Sequence, residues 1–183
     1  MASFEEAYKK TAKWEGGYCD VAGDAGGETI CGIARNAWGK SFYILFEKLD
    51  KIKAEVGKNA KAINERVFND KEMMDQIHKF YKANFWDKIR GDEIGEQSKA
   101  NALYDFCVNS GTSRGIKKAQ EVCGVAIDGV FGAKTLQAIN EKENFTNILC
   151  DARSEFFKAI AQKGQNAKFL NGWLNRVKDF YAW

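Results

Sequence analysis

The sequence contains no proline in 183 residues, where an average usage of about 5% would supply about nine. Proline breaks helix interiors and supplies rigid turns and stiff linkers. Its absence excludes a proline-rich linker and a PxxP-type ligand, and it favours a helix-rich chain. At this length one domain is the default, and the chain needs no disulfide or metal to fold.

Histidine is nearly absent, because His78 is the only one, and the five cysteines include no CxxC pair. A zinc site of cysteine and histidine needs closely spaced ligand pairs, so we expect no metal and no cofactor. Any mechanism with a histidine base would depend on His78. Its helical spacing from Met74 and Tyr81 favours a packing or surface role instead.

Long apolar segments are also missing, since no run reaches the about 18 residues of a membrane-spanning helix. The N-terminus, Met-Ala-Ser-Phe-Glu-Glu, has neither the charged nor the apolar region of a secretory signal. We therefore expect no transmembrane segment, synthesis in the cytoplasm, and cysteines that are kept as thiols in a reducing compartment.

Neither sign of charge dominates, because 28 basic residues stand against 25 acidic ones and the net charge is +3. This balance is too mild to indicate nucleic-acid binding. The excess lies in residues 144–183, which hold six lysines and arginines but three acids. A weakly basic C-terminal face would favour an anionic polymer, although solvated helix faces explain the same pattern.

Helical patterns dominate the chain. Ser3 and Glu6 form a capping box for a first helix, which is predicted to end near Glu15, where Gly16 and Gly17 supply a left-handed cap. A short β-hairpin is predicted next, with strands at 18–22 and 28–33 around a glycine-rich turn. Cys19 and Cys31 flank this hairpin and could pair across it only after export.

Helices are predicted over most of the remaining chain. Leu45, Phe46 and Leu49 form one amphipathic stripe, and the clearest later spans are 97–110, 113–123, 134–141, 145–163 and 172–183. The predicted fold class is mainly α (α+β), with one small N-terminal β-hairpin.

The hairpin region also holds a pattern suited to acid–base chemistry. Glu15 comes at the predicted helix C-terminus, where the dipole disfavours further negative charge, and Trp14 and Tyr18 flank it with apolar surface. Both effects favour the protonated carboxyl that a general acid needs. Asp24 lies in a polar turn and is expected to stay ionised, with the Thr29 hydroxyl able to hold a water beside it. Two carboxyls in different protonation states are typical of a glycosidase.

Each of these features has an ordinary structural explanation when taken alone, because glutamate before two glycines and aspartate in a glycine turn are common. Their order is more specific: Trp14-Glu-Gly-Gly-Tyr18, then Asp24-Ala-Gly-Gly-Glu-Thr29, then Gly32-Ile33. This string resembles the signature of glycoside hydrolase family 108. The family contains lysozyme-like N-acetylmuramidases, including phage endolysins and proteins labelled secretion activators.

The resemblance continues to the C-terminus. Residues 104–111 are similar to the family's D-x-x-V-N-x-G segment, and residues 128–136 resemble the D-G-x-x-G-x-x-T segment of its peptidoglycan-binding module. Residues 169–176 resemble its G-W-x-x-R helix, whereas residues 39–80 match least. The resemblance implies a lysozyme-like helical fold.

Two prolines that are usual in the family are replaced in this chain. The residues after Asp24 and Gly132 are alanines, Ala25 and Ala133, so both turns are expected to be less rigid.

The resemblance also implies a division of labour. Residues 1–95 would form the catalytic part, and residues 96–183 a helical peptidoglycan-binding part packed into the same globular unit. Glu15 would be the general acid for the leaving sugar oxygen. Asp24, assisted by Thr29, would orient or activate the attacking water. Such sets generally invert the anomeric carbon, which needs about 6.5–9.5 Å between the carboxyls.

Two further residues have a place in the implied site, with alternatives left open. Tyr18 would stack on a sugar ring or simply pack. Asn109 would line the cleft and bond an N-acetyl or hydroxyl group, or would simply end its helix before Gly111.

The resulting prediction is a monomeric enzyme that hydrolyses the β-1,4 bond between N-acetylmuramic acid and N-acetylglucosamine, with peptidoglycan glycan strands as its partner. One alternative is a non-catalytic peptidoglycan-binding or secretion-activator protein. Another is a lytic transglycosylase, which needs a single acid and yields 1,6-anhydro sugars. The substrate lies outside the cytoplasmic membrane, so holin-type release or another export route is expected.

Overall fold

The computed structural model of the chain describes residues 1–20 and 27–182. The structure is 71% helical. The chain divides into two units. Unit 1 comprises Met1–Thr11 and Lys82–Trp183, and unit 2 comprises Ala12–Tyr81. The predicted mainly α fold with a small N-terminal β element is confirmed. The predicted boundary at residue 95 stays a prediction.

Unit 2 contains a small antiparallel sheet with strand order β1-β2-β3. The strands are β1 (Tyr18–Cys19), β2 (Thr29–Ile30) and β3 (Ile33–Ala34). Tyr18 lies opposite Ile30, and Ile30 lies opposite Ile33. The helices that follow are α2 (Arg35–Trp38), α3 (Tyr43–Val56), α4 (Ala60–Asn69) and α5 (Lys71–Tyr81).

The predicted second strand of the hairpin is two strands in the structure. Cys31 and Gly32 connect β2 to β3, with φ values of 47° and 74°. A positive φ at both central residues is what a type I′ turn requires, and this turn matches the twist of the flanking strands. Cysteine adopts this conformation rarely, so the sequence pattern did not mark a turn here.

The core of unit 2 forms where the apolar faces of α3, α4 and α5 meet. Leu45, Leu49 and Ile77 have no exposed surface. The ring of Phe80 lies edge-on between Trp38 and Phe42, with centroid distances of 5.0 and 5.5 Å. A break at Asp70 separates α4 from α5, because its Oδ1 accepts the Met73 N–H at 3.0 Å and caps the new helix.

The first helix ends earlier than predicted. Helix α1 runs over Phe4–Ala12, and Glu15 lies in the turn that follows, where its N–H donates to the Ala12 carbonyl at 3.3 Å. Neither Gly16 nor Gly17 has a positive φ, so the predicted left-handed cap is wrong. Gly17 is needed for space instead, since a Cβ there would lie 2.2 Å from Asn64 Oδ1.

Unit 1 is built around helix α6 (Gln97–Ser110), whose predicted bounds are confirmed. This unit also contains α1 up to Thr11, together with α7 (Thr112–Cys123), α8 (Ala133–Glu141), α9 (Phe145–Ala161) and α10 (Leu170–Lys178). A π-helical turn at Lys82–Trp86 and 3-10 turns at Asp87–Ile89, Gly91–Glu93 and Gly164–Phe169 complete it. Helix α6 packs against α7 and α9, and α9 packs against α10.

A buried ion cluster joins the helices of unit 1. Asp105 on α6 accepts from Arg176 on α10 through Nε at 3.0 Å and Nη2 at 2.7 Å. Arg153 on α9 pairs with the same carboxylate at 2.7 Å. Asp105 and Arg153 have no exposed surface. The cluster therefore explains why the D-x-x-V-N-x-G and G-W-x-x-R segments, far apart in the chain, both belong to this fold.

The excess positive charge of the C-terminal segment is not all on the surface. Arg153 and Arg176 are buried against Asp105, and Lys158 pairs with Glu155 at 2.7 Å. The six cations of this segment therefore do not act together as one basic face.

The structure shows no disulfide bond among the five cysteines. All five cysteines are free, and the strand register places Cys19 opposite Thr29 rather than opposite Cys31.

No helix in the described ranges is long and apolar enough to cross a membrane.

Replacing Ala133 with proline should stabilise unit 1. Ala133 is the first residue of α8, where proline needs no N–H and its fixed φ suits the helix. The preceding Gly132 has an extended backbone, with φ −95° and ψ −178°. We expect Ala133→Pro to raise the free energy of unfolding by about 0.4–1 kcal/mol in urea denaturation. Ala138→Pro, inside the same helix, should lower it by about 3 kcal/mol. Equal losses in both variants would contradict this prediction.

Replacing Asp105 with asparagine should strongly destabilise unit 1, because two buried guanidinium groups would lose their counter-charge. We expect the free energy of unfolding to fall by about 3–5 kcal/mol in thermal or urea denaturation. Glu155→Gln breaks an exposed pair and should change it by less than about 1 kcal/mol. A small loss in Asp105→Asn, similar to that control, would show that the cluster does not stabilise the unit.

Candidate active site

Glu15 belongs to unit 2, in the segment that connects α1 to β1, and its side chain is half-buried. Two hydrogen bonds fix the backbone of the two residues that follow Gly16. The Gly17 carbonyl accepts the Cys31 N–H at 3.1 Å, and the Tyr18 N–H donates to Asn64 Oδ1 at 2.7 Å. The position of Glu15 is therefore tied to the sheet and to α4.

The β2–β3 turn approaches the Glu15 carboxyl. A Cβ built on Gly32 would lie 3.5 Å from Glu15 Oε2 and 2.8 Å from the Tyr81 hydroxyl oxygen. That hydroxyl donates to the Cys31 carbonyl at 2.8 Å. The Gly32-Ile33 part of the sequence string is thus the place where the sheet meets the predicted acid.

Tyr18 is 7% exposed, and its ring belongs to the core of unit 2. Its hydroxyl donates to Glu28 Oε1 at 3.0 Å. Burial, and next the hydrogen bond to Glu28, raise the pKa of Tyr18 above its usual range. Its predicted contact with substrate stays a prediction.

Glu28 forms an ion-pair network that sequence reasoning did not single out. Its Oε2 accepts from Arg35 Nε at 2.6 Å, and its Oε1 accepts from Lys53 as well as from Tyr18. Arg35 also binds Asp50 through both terminal nitrogens, at 2.6 and 3.1 Å. The only sequence signal for this network was the position of Glu28 inside the string, directly before Thr29.

The protonation of Glu28 follows from these contacts. Burial acts to raise its pKa, but the hydrogen bonds from Lys53, Arg35 and Tyr18 outweigh burial and hold the pKa below its ordinary value of 4.5. Glu28 is therefore an ionised anchor at neutral pH and not a proton donor.

Of the two residues predicted to position the water, the structure describes Thr29 and not Asp24. Thr29 is half-buried on β2, opposite Cys19, and its hydroxyl donates to the Cys19 carbonyl at 3.5 Å. Asp24 and Ala25 lie outside the described residues. The predicted roles of Asp24 and Thr29 therefore stay predictions.

Asn109 belongs to unit 1, near the end of α6. Its Oδ1 accepts from Arg153 Nη2 at 3.1 Å, so it borders the buried Asp105 cluster. Its predicted contact with substrate stays a prediction. Among residues 1–20 and 27–182, no three side chains of the His, Cys, Asp or Glu type are grouped so that they could hold a metal ion.

The comparisons with known proteins identify the class. Residues 8–111 match the family model "Glycosyl hydrolase 108", and residues 114–178 match the model "Predicted Peptidoglycan domain". A mainly helical chain with these two segments is a cell-wall glycosidase or a cell-wall binding protein. The chain belongs to the glycosyl hydrolase 108 family.

Solved structures agree with this assignment, and eleven of their chains match. The structure of Brucella abortus SagA is similar, with 32% sequence identity and a TM-score of 0.68. The alignment covers 97% of this chain and 90% of that one. No curated protein matches the chain.

Removing the Glu28 charge should change how stability depends on pH. A carboxyl whose pKa is lower in the folded state stabilises the fold above its unfolded pKa, and this contribution is lost as the pH falls through the folded pKa. We therefore expect wild-type stability to fall from about pH 5 downwards, and Glu28→Gln to show a flatter profile there. At neutral pH the variant should lose about 1–3 kcal/mol in chemical denaturation.

The exposed Glu47 on α3 offers a matched control for this prediction. Glu47→Gln should follow the wild-type profile between about pH 3 and 7 within about 0.5 kcal/mol. If Glu28→Gln also did so, Glu28 would not be the anchor of the sheet.

Proposed function

We propose that this protein hydrolyses the β-1,4 bond between N-acetylmuramic acid and N-acetylglucosamine in peptidoglycan. Glu15 acts as the general acid, and Asp24 with Thr29 positions the attacking water. The match of residues 8–111 to the glycosyl hydrolase 108 model supports the reaction class. The match of residues 114–178 to a peptidoglycan domain supports the polymer.

The observation that carries the proposal is the contrast between Glu28 and Glu15. The two carboxyls belong to the same sequence string, but Glu28 binds two cations and a tyrosine hydroxyl, which keep it ionised and unable to donate a proton. Glu15 lies half-buried beside the β2–β3 turn, next to the half-buried Trp14. A half-buried carboxyl still presents part of its surface to a substrate, as a proton donor to the glycosidic oxygen must.

The proposed reaction is a single displacement. Glu15 donates its proton to the glycosidic oxygen as the bond from that oxygen to the anomeric carbon breaks. Water attacks the anomeric carbon from the opposite face. Asp24 takes a proton from this water, and Thr29 helps to hold the water in place. The products are a new reducing end and a free hydroxyl group on the leaving sugar.

Residues 114–178 would hold the glycan strand while residues near the sheet cut it. Binding without cleavage is the second candidate function, because this segment matches a peptidoglycan domain by itself. The two functions predict different behaviour of one variant, Glu15→Gln.

Glu15→Gln should abolish hydrolysis while the fold and cell-wall binding survive, because glutamine keeps the side-chain shape but has no acidic proton to donate. We expect the release of reducing ends to fall by about 100-fold or more. Mass spectrometry of the released fragments should show reducing N-acetylmuramic acid in wild type. Glu47→Gln serves as the matched control and should keep full activity.

Three results would contradict the proposal. Full activity of Glu15→Gln would remove Glu15 from the mechanism. Fragments with 1,6-anhydro ends would indicate a transglycosylase. Wild-type protein that sediments with cell walls but releases no fragments would favour the binding function.

A further inference from the structure

The Cys31–Gly32 turn lies beside Glu15, the residue for which we propose the acid role. We infer that this turn, held by the Tyr81 hydroxyl, sets the position of the Glu15 carboxyl, an inference that rests on the function proposed above. Gly32 and Tyr81 are then positioning residues for proton transfer. Both act through Glu15, and neither gives or takes the proton.

The turn is fixed through the backbone of Cys31. Its N–H donates to the Gly17 carbonyl at 3.1 Å, which ties the turn to the segment just after Glu15. Its carbonyl accepts the Tyr81 hydroxyl at 2.8 Å, and Tyr81 is 2% exposed at the end of α5. The backbone of one residue therefore links the acid's own segment to a buried side chain of a helix.

The second argument concerns space. A Cβ on Gly32 would be in van der Waals contact with Glu15 Oε2 at 3.5 Å, and it would overlap the Tyr81 hydroxyl oxygen at 2.8 Å. The carboxyl and the hydroxyl thus approach the same face of Gly32. Its φ of 74° is also one that residues with a side chain rarely adopt. Glycine is required here by the neighbours as well as by the backbone.

The Glu15 carboxylate also affects Cys31, the other residue of the turn. The Cys31 thiol is 5% exposed, and burial raises its pKa to about 12, with the Glu15 carboxylate adding to the effect. The Glu15 carboxyl therefore lies close to both residues of the turn, Cys31 and Gly32.

Such a support matters because a glutamate carboxyl sits at the end of a flexible side chain. Proton transfer requires the acid within hydrogen-bond reach of the glycosidic oxygen, and a displacement of about 1 Å costs about 100-fold in rate. A rigid two-residue turn is a surface against which the carboxyl can be held.

The test compares Tyr81→Phe, Gly32→Ala and the double variant, using soluble uncross-linked glycan strands as substrate. Tyr81→Phe removes one oxygen and keeps the ring, so it should lower kcat by about 10- to 100-fold and leave KM within about twofold. Gly32→Ala should lower kcat at least as much. The double variant should lose less than the product of the two single losses, because phenylalanine removes the atom that the new Cβ would overlap.

Two matched controls separate positioning from general damage. Gly57 has a φ of 64° with open space around it, so Gly57→Ala adds backbone strain without touching Glu15 or Tyr81. Tyr43 is 57% exposed on α3, so Tyr43→Phe removes a hydroxyl elsewhere in unit 2. Both controls should keep kcat within about twofold of wild type.

Failure of this inference can be distinguished from failure of the proposed function. The 13C carboxyl resonance of Glu15, assigned by its disappearance in Glu15→Gln, reports the surroundings and hydrogen bonding of the group without any activity. It should shift in Tyr81→Phe and stay unchanged in Tyr43→Phe. This holds even if Glu15→Gln keeps full activity and Glu15 is thereby removed from the proposed mechanism.

The inference is overturned if folded Tyr81→Phe keeps the wild-type kcat and the Glu15 resonance. It is also overturned if its loss appears in KM alone, or if Gly57→Ala and Gly32→Ala lose activity equally. Should Gly32→Ala fail to fold, Tyr81→Phe decides the question by itself.

Discussion

The small sheet depends on the carboxylate of Glu28. Each strand has two residues, and so short a sheet is unstable without contacts to helices. Glu28 provides them, because it binds Arg35 on α2, Lys53 on α3 and the buried hydroxyl of Tyr18. The strand that carries Thr29 and the turn that reaches Glu15 both follow from this anchor. This ionised side chain acts together with the Tyr81–Cys31 and Tyr18–Asn64 hydrogen bonds to hold the part of unit 2 for which we propose catalysis.

Unit 1 is also held by ion pairs to one carboxylate, and here the carboxylate is fully buried. Asp105 is fully buried between two guanidinium groups, and the rings of Phe106 and Phe157 cover Arg153 at 5.2 and 5.5 Å. Burial of such charges is costly unless their partners are in place, so the cluster fixes how α6, α9 and α10 pack. Two segments of the family resemblance thus contribute to a structural core. Asn109, which contacts Arg153, lies at the edge of that core.

Helices were predicted well where apolar residues repeat at helical spacing. They were predicted poorly where a single contact between distant residues sets the end of the helix. The apolar spacing of α6 predicted both of its ends, and the stripe at Leu45 and Leu49 predicted α3. The end of α1 was predicted too late, because the two glycines after Glu15 look like a helix cap. The structure shows that Gly17 makes room for Asn64, a residue distant in the chain.

Residue order and local periodicity were enough to establish the helical class, the family and the string that contains Glu15, Asp24 and Thr29. The role of Glu28 became visible only when the chain was folded. Sequence reasoning singled out Glu15 and passed over Glu28, because the cations that make Glu28 an ionised anchor come from α2 and α3. The turn beside Glu15 is likewise formed by residues that follow it at a distance in the chain. The protonation of a carboxyl depends on neighbours in space, and adjacency in the chain does not specify them.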